Sequence, residues 1–272
     1  VRALDYSPIA REHGEGDDLF NSWRPTLDIP GAADHPSPLV ESTALASTQR
    51  PPASYQPFLE PELISRGVLS SMQLEEIVYA GQAHQDYLPA DPMDPNGVPP
   101  RRGYLLGAGT GSGKSRINLG VIRDNINQGR RKAVLITERH RLLADTKREW
   151  SMLGGRGDDL IDLREIAPGQ SVPARDGILF LTYSLLRGEG RVAQVAEWLG
   201  LASDAVLVFD ECHNCRNALV RKGSRTGKRS QQGAALIALQ QELPNARVVY
   251  SSATSAGDIA SMGYAIRLGL WG

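Results

Sequence analysis

The ten residues at 107–116, GAGTGSGKSR, hold four glycines, three hydroxyl-bearing side chains and one lysine, and they follow directly on the apolar run Tyr104-Leu105-Leu106. A loop this bare lets its N–H groups turn inward on an anion, and a helix starting behind it adds its partial positive end. A phosphate chain suits such a cradle. Gly109, Thr110, Gly111, Ser112, Gly113 and Arg116 would frame it, Lys114 would reach the β- and γ-phosphates of ATP, and the Ser115 hydroxyl would ligate Mg2+. A magnesium nucleotide also needs carboxylates, and VLVFDECH at 206–213 supplies two at the end of an apolar run. Asp210 is suited to holding Mg2+ through its water shell and Glu211 to orienting and polarising the attacking water, so the adjacent acids have different jobs.

Both groups require strands that end at one edge of a sheet. GYLLG (103–107), KAVLIT (132–137), GILFLTY (177–183), AVLVFD (205–210) and ARVVYSS (246–252) are short and apolar without polar alternation, the pattern of strands covered on both faces of a parallel sheet. Amphipathic segments at 114–128, 139–153, 190–199 and 231–242 alternate with them as crossover helices. The expected class is α/β, three layers around a mostly parallel, doubly wound sheet. In that class the loop and the acids meet beyond the carboxyl ends of the strands, where open α/β sheets bind ligands. A further helix is predicted over Met72–His84, with Ser70 or Ser71 as its cap and Glu75 and Glu76 in its first turn.

Residues 1–62 carry nine of the 17 prolines and show no sustained periodicity. Composition alone reads as a disordered arm; Trp23, Leu27, Ile29, Leu39, Val40, Tyr55, Phe58 and Leu59 are apolar anchors that a free linker does not need. The formal net charge of −1 provides no global field toward a polyanion, so any nucleic-acid surface must be local. Cys212 and Cys215 are the only cysteines, too few for a disulfide framework and without a second ligand pair at zinc spacing, and they read as buried thiols. With no apolar run near the ~20 residues of a membrane span, the expected setting is intracellular and reducing, cytoplasmic or nuclear.

AGTGSGKS departs from the strict Walker A pattern at Ala108 and resembles motif I of superfamily 2 helicases. DECH resembles their DExH motif II, and SSAT at 251–254 resembles their motif III. HPSPLVESTALAS (35–47), LSSMQLEEIVYAGQAH (69–84), FDECHNCRNA (209–218), and ARVVYSSAT leading to MGYAIRLGLWG (262–272) narrow the resemblance to the ATPase half of the strawberry notch family, whose members are DExH helicase-like proteins. These segments cover most of the chain. That family's loop usually reads closer to G-D-G-x-G-x-G-K-G, so Ser115 departs toward the general helicase form and strengthens the Mg2+ assignment. The resemblance implies a RecA-like first lobe over 63–272 and makes the arm at 35–62 part of the family's pattern. It also implies coupling roles for His213, Ser252 and Thr254. Gln73 falls where superfamily 2 proteins carry a glutamine that reads adenine, an exposed helix-start glutamine being the plain alternative.

By the same resemblance, TERHRLLADTKREW (137–150) and TYSLL (182–186) occupy the places of motifs Ia and Ib, which makes Thr137, Arg139, His140, Thr182 and Tyr183 candidates for nucleic-acid backbone contacts. RNALVRKGSRTGKRS (216–230) adds Arg221, Lys222, Arg225, Lys228 and Arg229 with no acidic residue among them. Such a stretch orders on phosphates or stays a solvated loop, since it offers charge without an aromatic stacking platform. The function expected is the ATP-hydrolysing half of a motor on nucleic acid, DNA ahead of RNA. A start at Val1 without methionine and an end at RLGLWG point to a processed or partial chain, and the resemblance implies a second RecA-like lobe bearing an arginine finger. A nucleotide-switched protein-interaction module is the alternative from another class; nucleic-acid stimulation of ATP turnover separates the two.

Overall fold

The computed structural model describes residues 1–9, 20–42, 50–90, 97–109, 111–216, 218, 230–252 and 262–270. The described part of the arm is tied down by three short antiparallel pairs: β1 (Arg2–Ala3) with β6 (Phe58–Leu59), β2 (Ser7–Pro8) with β4 (Leu27–Asp28), and β3 (Phe20–Ser22) with β5 (Val40–Ser42). Leu4, Leu27, Ile29 and Leu59 are buried in the same core as the helices beneath, so the disorder that composition suggests does not hold for them. The anchor prediction fails at two places. Val40 is 70% and Phe58 41% exposed, because alternate residues of a strand face opposite sides and Leu59 takes the inward place in β6.

Helix α1 (Pro61–Ser65) opens with a proline, whose missing N–H costs nothing at that position. Helix α2 (Ser71–Ala83) is capped by Ser70, which forms a capping box with Gln73. Glu75 and Glu76 lie beyond the first turn, contrary to expectation, and serve the arm instead of the helix dipole. Glu75 accepts bonds from the Thr26 N–H at 2.8 Å and its hydroxyl at 2.7 Å, and Glu76 accepts from Arg50 at 3.0 Å and from the Tyr104 hydroxyl at 2.7 Å.

The main sheet contains β7 (Tyr104–Leu106), β8 (Lys132–Thr137), β9 (Leu160–Asp162), β10 (Gly177–Thr182), β11 (Val206–Asp210) and β12 (Arg247–Ser251). Their order is β7-β12-β11-β8-β10-β9, and every neighbouring pair is parallel. Helices α3 (Lys114–Asn127), α4 (Leu142–Met152), α5 (Tyr183–Leu186), α6 (Arg191–Leu199) and α7 (Gln231–Glu242) complete the outer layers. Two apolar cores, one on each face, explain why the strands carry no polar alternation: Ala133, Leu135, Val206 and Val208 join the core beneath α2 and α3, while Val134, Ile136, Leu207 and Phe209 join the one beneath α6 and α7. The α/β, three-layer P-loop architecture is thereby shown. Tyr55 of the arm crosses α2 at Gly81, where a Cβ would run into its ring, and its hydroxyl donates to Asp124 of α3 at 2.6 Å.

Candidate nucleotide site at the carboxyl edge of the sheet

β7 delivers the chain into a loop whose turns depend on two left-handed glycines, Gly111 at φ 87° and Gly113 at φ 75°. A Cβ added to Gly109 or Gly111 would meet nothing within 4 Å, so the face of the loop is open. Inside it, the Ser112 hydroxyl donates to the Gly109 carbonyl at 2.8 Å, and the half-buried Lys114 lays its ammonium 3.3 Å from the same carbonyl. Gly113 starts α3 without a side-chain cap, leaving the first N–H groups of the helix free of a capping side chain. Ser115 follows, exposed on the first turn.

β11 brings the acids to the same edge. Asp210 stands opposite Ser251 of β12, and the next residue, Ser252, donates its N–H to the Leu106 carbonyl at 3.1 Å, closing the sheet against the start of the loop. Burial, and then the neighbouring Glu211, push the Asp210 carboxyl up to about 6, with Lys114 opposing them. Asn118, one helical turn past Lys114 on α3, donates its Nδ2 to Asp210 Oδ1 at 3.4 Å. It is 1% exposed and its Oδ1 has no hydrogen-bond partner among the described residues. Among the described residues Glu211 is the one non-glycine residue with positive φ, at 51°, a backbone conformation costing roughly 1–2 kcal/mol. Asn214 Nδ2 donates to its carbonyl at 2.9 Å. His213 Nδ1 lies 3.2 Å from Glu211 Oε2 and 3.0 Å from Ser252 Oγ, joining the ends of β11 and β12. An open glycine cradle, an ammonium, an exposed hydroxyl at the helix start and a half-buried carboxylate beside an amide oxygen without a partner among the described residues are a donor set that fits a magnesium triphosphate.

The other sequence-based candidates fare unevenly. Tyr183 is 1% exposed, so it is no surface contact; its hydroxyl donates to the Asp210 carbonyl at 2.8 Å and braces the acid strand from below. Thr137 is 2% exposed and donates to the Arg139 carbonyl at 3.4 Å. Thr182 accepts from the Leu185 N–H at 3.2 Å as the cap of α5. His140 Nε2 sits 2.6 Å from Asp162 Oδ2, while Arg139 remains exposed beside Glu138. Arg116 turns away from the loop onto Glu149 of α4 at 2.8 Å and the Val68 carbonyl at 3.2 Å. Gln73, neither exposed nor free, has its amide divided between Ser70 and Ser112. Thr110, Arg221, Lys222, Arg225, Lys228, Arg229 and Thr254 lie outside the described residues. Cys212 and Cys215 are buried, burial pushes both thiols up, and no group of metal-ligating side chains occurs among the described residues.

The P-loop containing NTP hydrolase pore-1 family matches residues 34–272. The chain is 35% identical over 277 residues to Protein FORGETTER 1 of Arabidopsis thaliana, covering 97% of this chain and 20% of that protein. It is 38% identical over 251 residues to Protein strawberry notch homolog 1 of Gallus gallus, covering 88% and 19%. To Protein strawberry notch of Drosophila melanogaster it is 36% identical over 275 residues, covering 96% and 16%. The chain thus spans about a fifth or less of the length of these relatives. Among solved structures, the Sulfolobus solfataricus SWI2/SNF2 ATPase core in complex with dsDNA is similar at a TM-score of 0.49 and 14% identity, covering 71% of this chain and 34% of that one. The DUF1998 helicase MrfA bound to DNA is similar at 0.49 and 15%, covering 94% and 32%. With its glycine loop and acid strand end in place, the chain belongs to the P-loop containing NTP hydrolase pore-1 family and is a relative of the strawberry notch proteins.

Proposed function

We propose that this chain is the ATP-binding and ATP-hydrolysing lobe, with a proline-rich N-terminal arm at 1–62 and a RecA-like domain at 63–272, of an intracellular DExH-type motor that acts on nucleic acid, DNA ahead of RNA. The observation that carries the reading is the meeting of the loop behind β7 with the acids behind β11, bridged by the bond from Asn118 to Asp210. Lys114 and the uncapped start of α3 bind the phosphates. Ser115 and Asp210 would hold Mg2+, which when bound offsets phosphate charge. Glu211 takes the proton from the attacking water. His213 and Ser252 link that base to the end of β12, the strand that leads into Thr254.

Arg139 and the basic stretch from Arg221 to Arg229 are the residues assigned to nucleic-acid phosphates. The second lobe implied by the family resemblance would bring the arginine finger, whose loss costs on the order of 10³ to 10⁵ in rate in related phosphoryl transfer. Among the described residues no helix is long and apolar enough to cross a membrane.

The test is ATP turnover by the full-length protein with and without single-stranded DNA, duplex DNA and RNA. Stimulation by nucleic acid is expected, strongest with DNA; ATP-dependent partner binding without stimulation would favour the interaction-module alternative. In Glu211→Gln the base is gone while the shape stays, so Mg·ATP still binds and turnover drops by roughly 10²-fold or more. Residues 1–272 alone are expected to release phosphate slowly, and rapid nucleic-acid-stimulated turnover by them would dispense with the second lobe.

A further inference from the structure

On the face of the sheet opposite α2 and α3, helices α6 and α7 pack side by side and run the same way. Their starts lie together, since Arg187 Nη1 donates to Gln231 Oε1 at 3.4 Å. Their ends lead into the neighbouring parallel strands β11 and β12, where the Arg247 N–H donates to the Ala205 carbonyl at 2.9 Å. The two helix dipoles therefore add, each placing roughly half a positive charge at its start and half a negative charge at its end.

Between the two helices lies an open groove of about 570 Å³, lined by Leu186, Val192, Ala193, Ala196, Ala235 and Leu201. Leu201 is 62% exposed. Without a charged side chain from Gln231 to Gln241, α7 lacks the charged outer face of a helix that meets only water. The groove keeps its charges at its two ends. Arg187 stands at the helix starts, where Glu189 does not line it, and Glu197 and Glu242 stand at the helix ends. None of the three has an ion-pair partner among the described residues. A cation beside two positive helix starts and anions in two last turns are the reverse of what stabilises either helix by itself.

That polarity is complementary to itself turned end for end. We propose that the α6–α7 groove is the interface of a dimer with a second copy of this chain. A two-fold axis through the middle of the groove makes the helices of the two copies antiparallel, so their dipoles cancel, and it sets Arg187 of each copy against Glu197 and Glu242 of the other. It also carries the exposed Leu201 of each copy to the Leu186–Val192 end of the other's groove. Nothing in this pairing needs a nucleotide. With 9 and 12 residues, the helices form a face ~18 Å long and ~20 Å wide, smaller than the ~800 Å² per partner of a standard interface. The dimer is accordingly weak, with a dissociation constant on the order of 10–100 µM.

The experiment is sedimentation equilibrium of the full-length protein at low ionic strength, without nucleotide or nucleic acid, up to several times that range. The wild type should pass from monomer to dimer. Arg187→Glu makes all three groove charges negative, and the double variant Glu197→Arg with Glu242→Arg makes them all positive. Each should weaken self-association by about tenfold or more, because like charges now meet at both ends. Mixed one to one, the two variants should form a heterodimer at least as tight as the wild-type dimer, since every pair of facing charges is then opposite. Leu201→Ser changes no charge and removes a side chain that the fold leaves exposed, so it keeps the test open should a reversed variant fail to fold; it should weaken the dimer by about tenfold. A wild type that stays monomeric throughout, the result expected if the groove takes a helix of another protein instead, would overturn the proposal. So would a dimer indifferent to charge reversal and to Leu201→Ser, or a mixture as monomeric as its components.

Discussion

Helices α3 and α6 open alike: each starts from a left-handed glycine followed at once by a cation, Gly113 with Lys114 and Gly190 with Arg191. Neither start has a side-chain cap. At α6 the cation is consumed by the fold, since Arg191 is 5% exposed and its Nη1 donates to the Ile166 carbonyl and to Gln194 Oε1, both at 2.7 Å. At α3 the ammonium rests on one loop carbonyl beneath open space, with Asp210 close enough to feel its charge. A glycine and a cation at a helix start therefore do not make a site. What separates the two places is whether the cation's hydrogen bonds are already spent, and whether a second strand brings acids to the same edge.

The contrast predicts opposite phenotypes for one kind of substitution. Lys114→Ala should abolish tight Mg·ATP binding and leave the melting temperature of the empty protein nearly unchanged, because an exposed-facing ammonium contributes little to the fold. Arg191→Ala should do the reverse: a buried and a half-buried acceptor lose a charged donor, costing about 2 kcal/mol of stability, while the ATP dissociation constant stays put. Calorimetric melting and nucleotide titration of the two variants side by side decide the matter. A shift of both observables in either variant would erase the distinction between them.

How far the sequence revealed these features follows the range of the interactions. Five strands and five helices were legible because their apolar runs are local and their cores lie on both faces. β9 was not, since Leu160–Asp162 is three residues long and reads as the end of an acidic turn until Ile178 of β10 lies beside it. Pairings within the arm join residues such as Arg2 and Leu59, which no local pattern links. The loop lysine and the acid pair were legible as motifs. Asn118 was missed because its meaning is a bond to Asp210, 92 residues away, and its signal was only its place one turn past Lys114. Tyr183 was misjudged because the resemblance of its stretch to motif Ib implied a contact with nucleic acid, whereas its ring fills the core and its hydroxyl reaches the Asp210 carbonyl.

The same division between spent and available groups governs the response to acid. Burial, helped by Arg247, Arg101 and Arg130 and opposed by the bond to Val248, pushes the His84 imidazole down to about 3 from 6.5. Below pH 6.5 the unfolded chain therefore takes up a proton that the folded protein refuses, so stability present at neutral pH is lost as pH falls through the window from 6.5 toward 3. At pH 5 the loss from this one group is about 2 kcal/mol. His84→Gln, which keeps a donor for Val248, should flatten that stretch of the stability-against-pH curve. An unchanged slope from pH 6.5 to 5 would show that the imidazole is not held neutral.

The smallest effect separates the two halves of the box that starts α2. Ser70 Oγ accepts the Gln73 N–H at 3.5 Å, a long bond, while the Ser70 N–H reaches back to Gln73 Oε1 at 3.1 Å through backbone alone. Ser70→Ala removes the first and spares the second. The backbone at 70 also stays fixed from the arm, where Ser70 bridges Ala33 and the Ser71 N–H donates to the Ala33 carbonyl at 2.8 Å. Stability should therefore fall by about 0.5–1 kcal/mol, the low end for a lost cap. Nucleotide affinity should not change, because the glutamine keeps its bond to the Ser112 carbonyl of the loop. Read by thermal melting and Mg·ATP titration, a loss of affinity in Ser70→Ala would mean that the loop depends on the cap as a whole. If affinity holds while the melting temperature drops slightly, the serine belongs to the helix and the glutamine to the loop, although the two sit three residues apart in one motif.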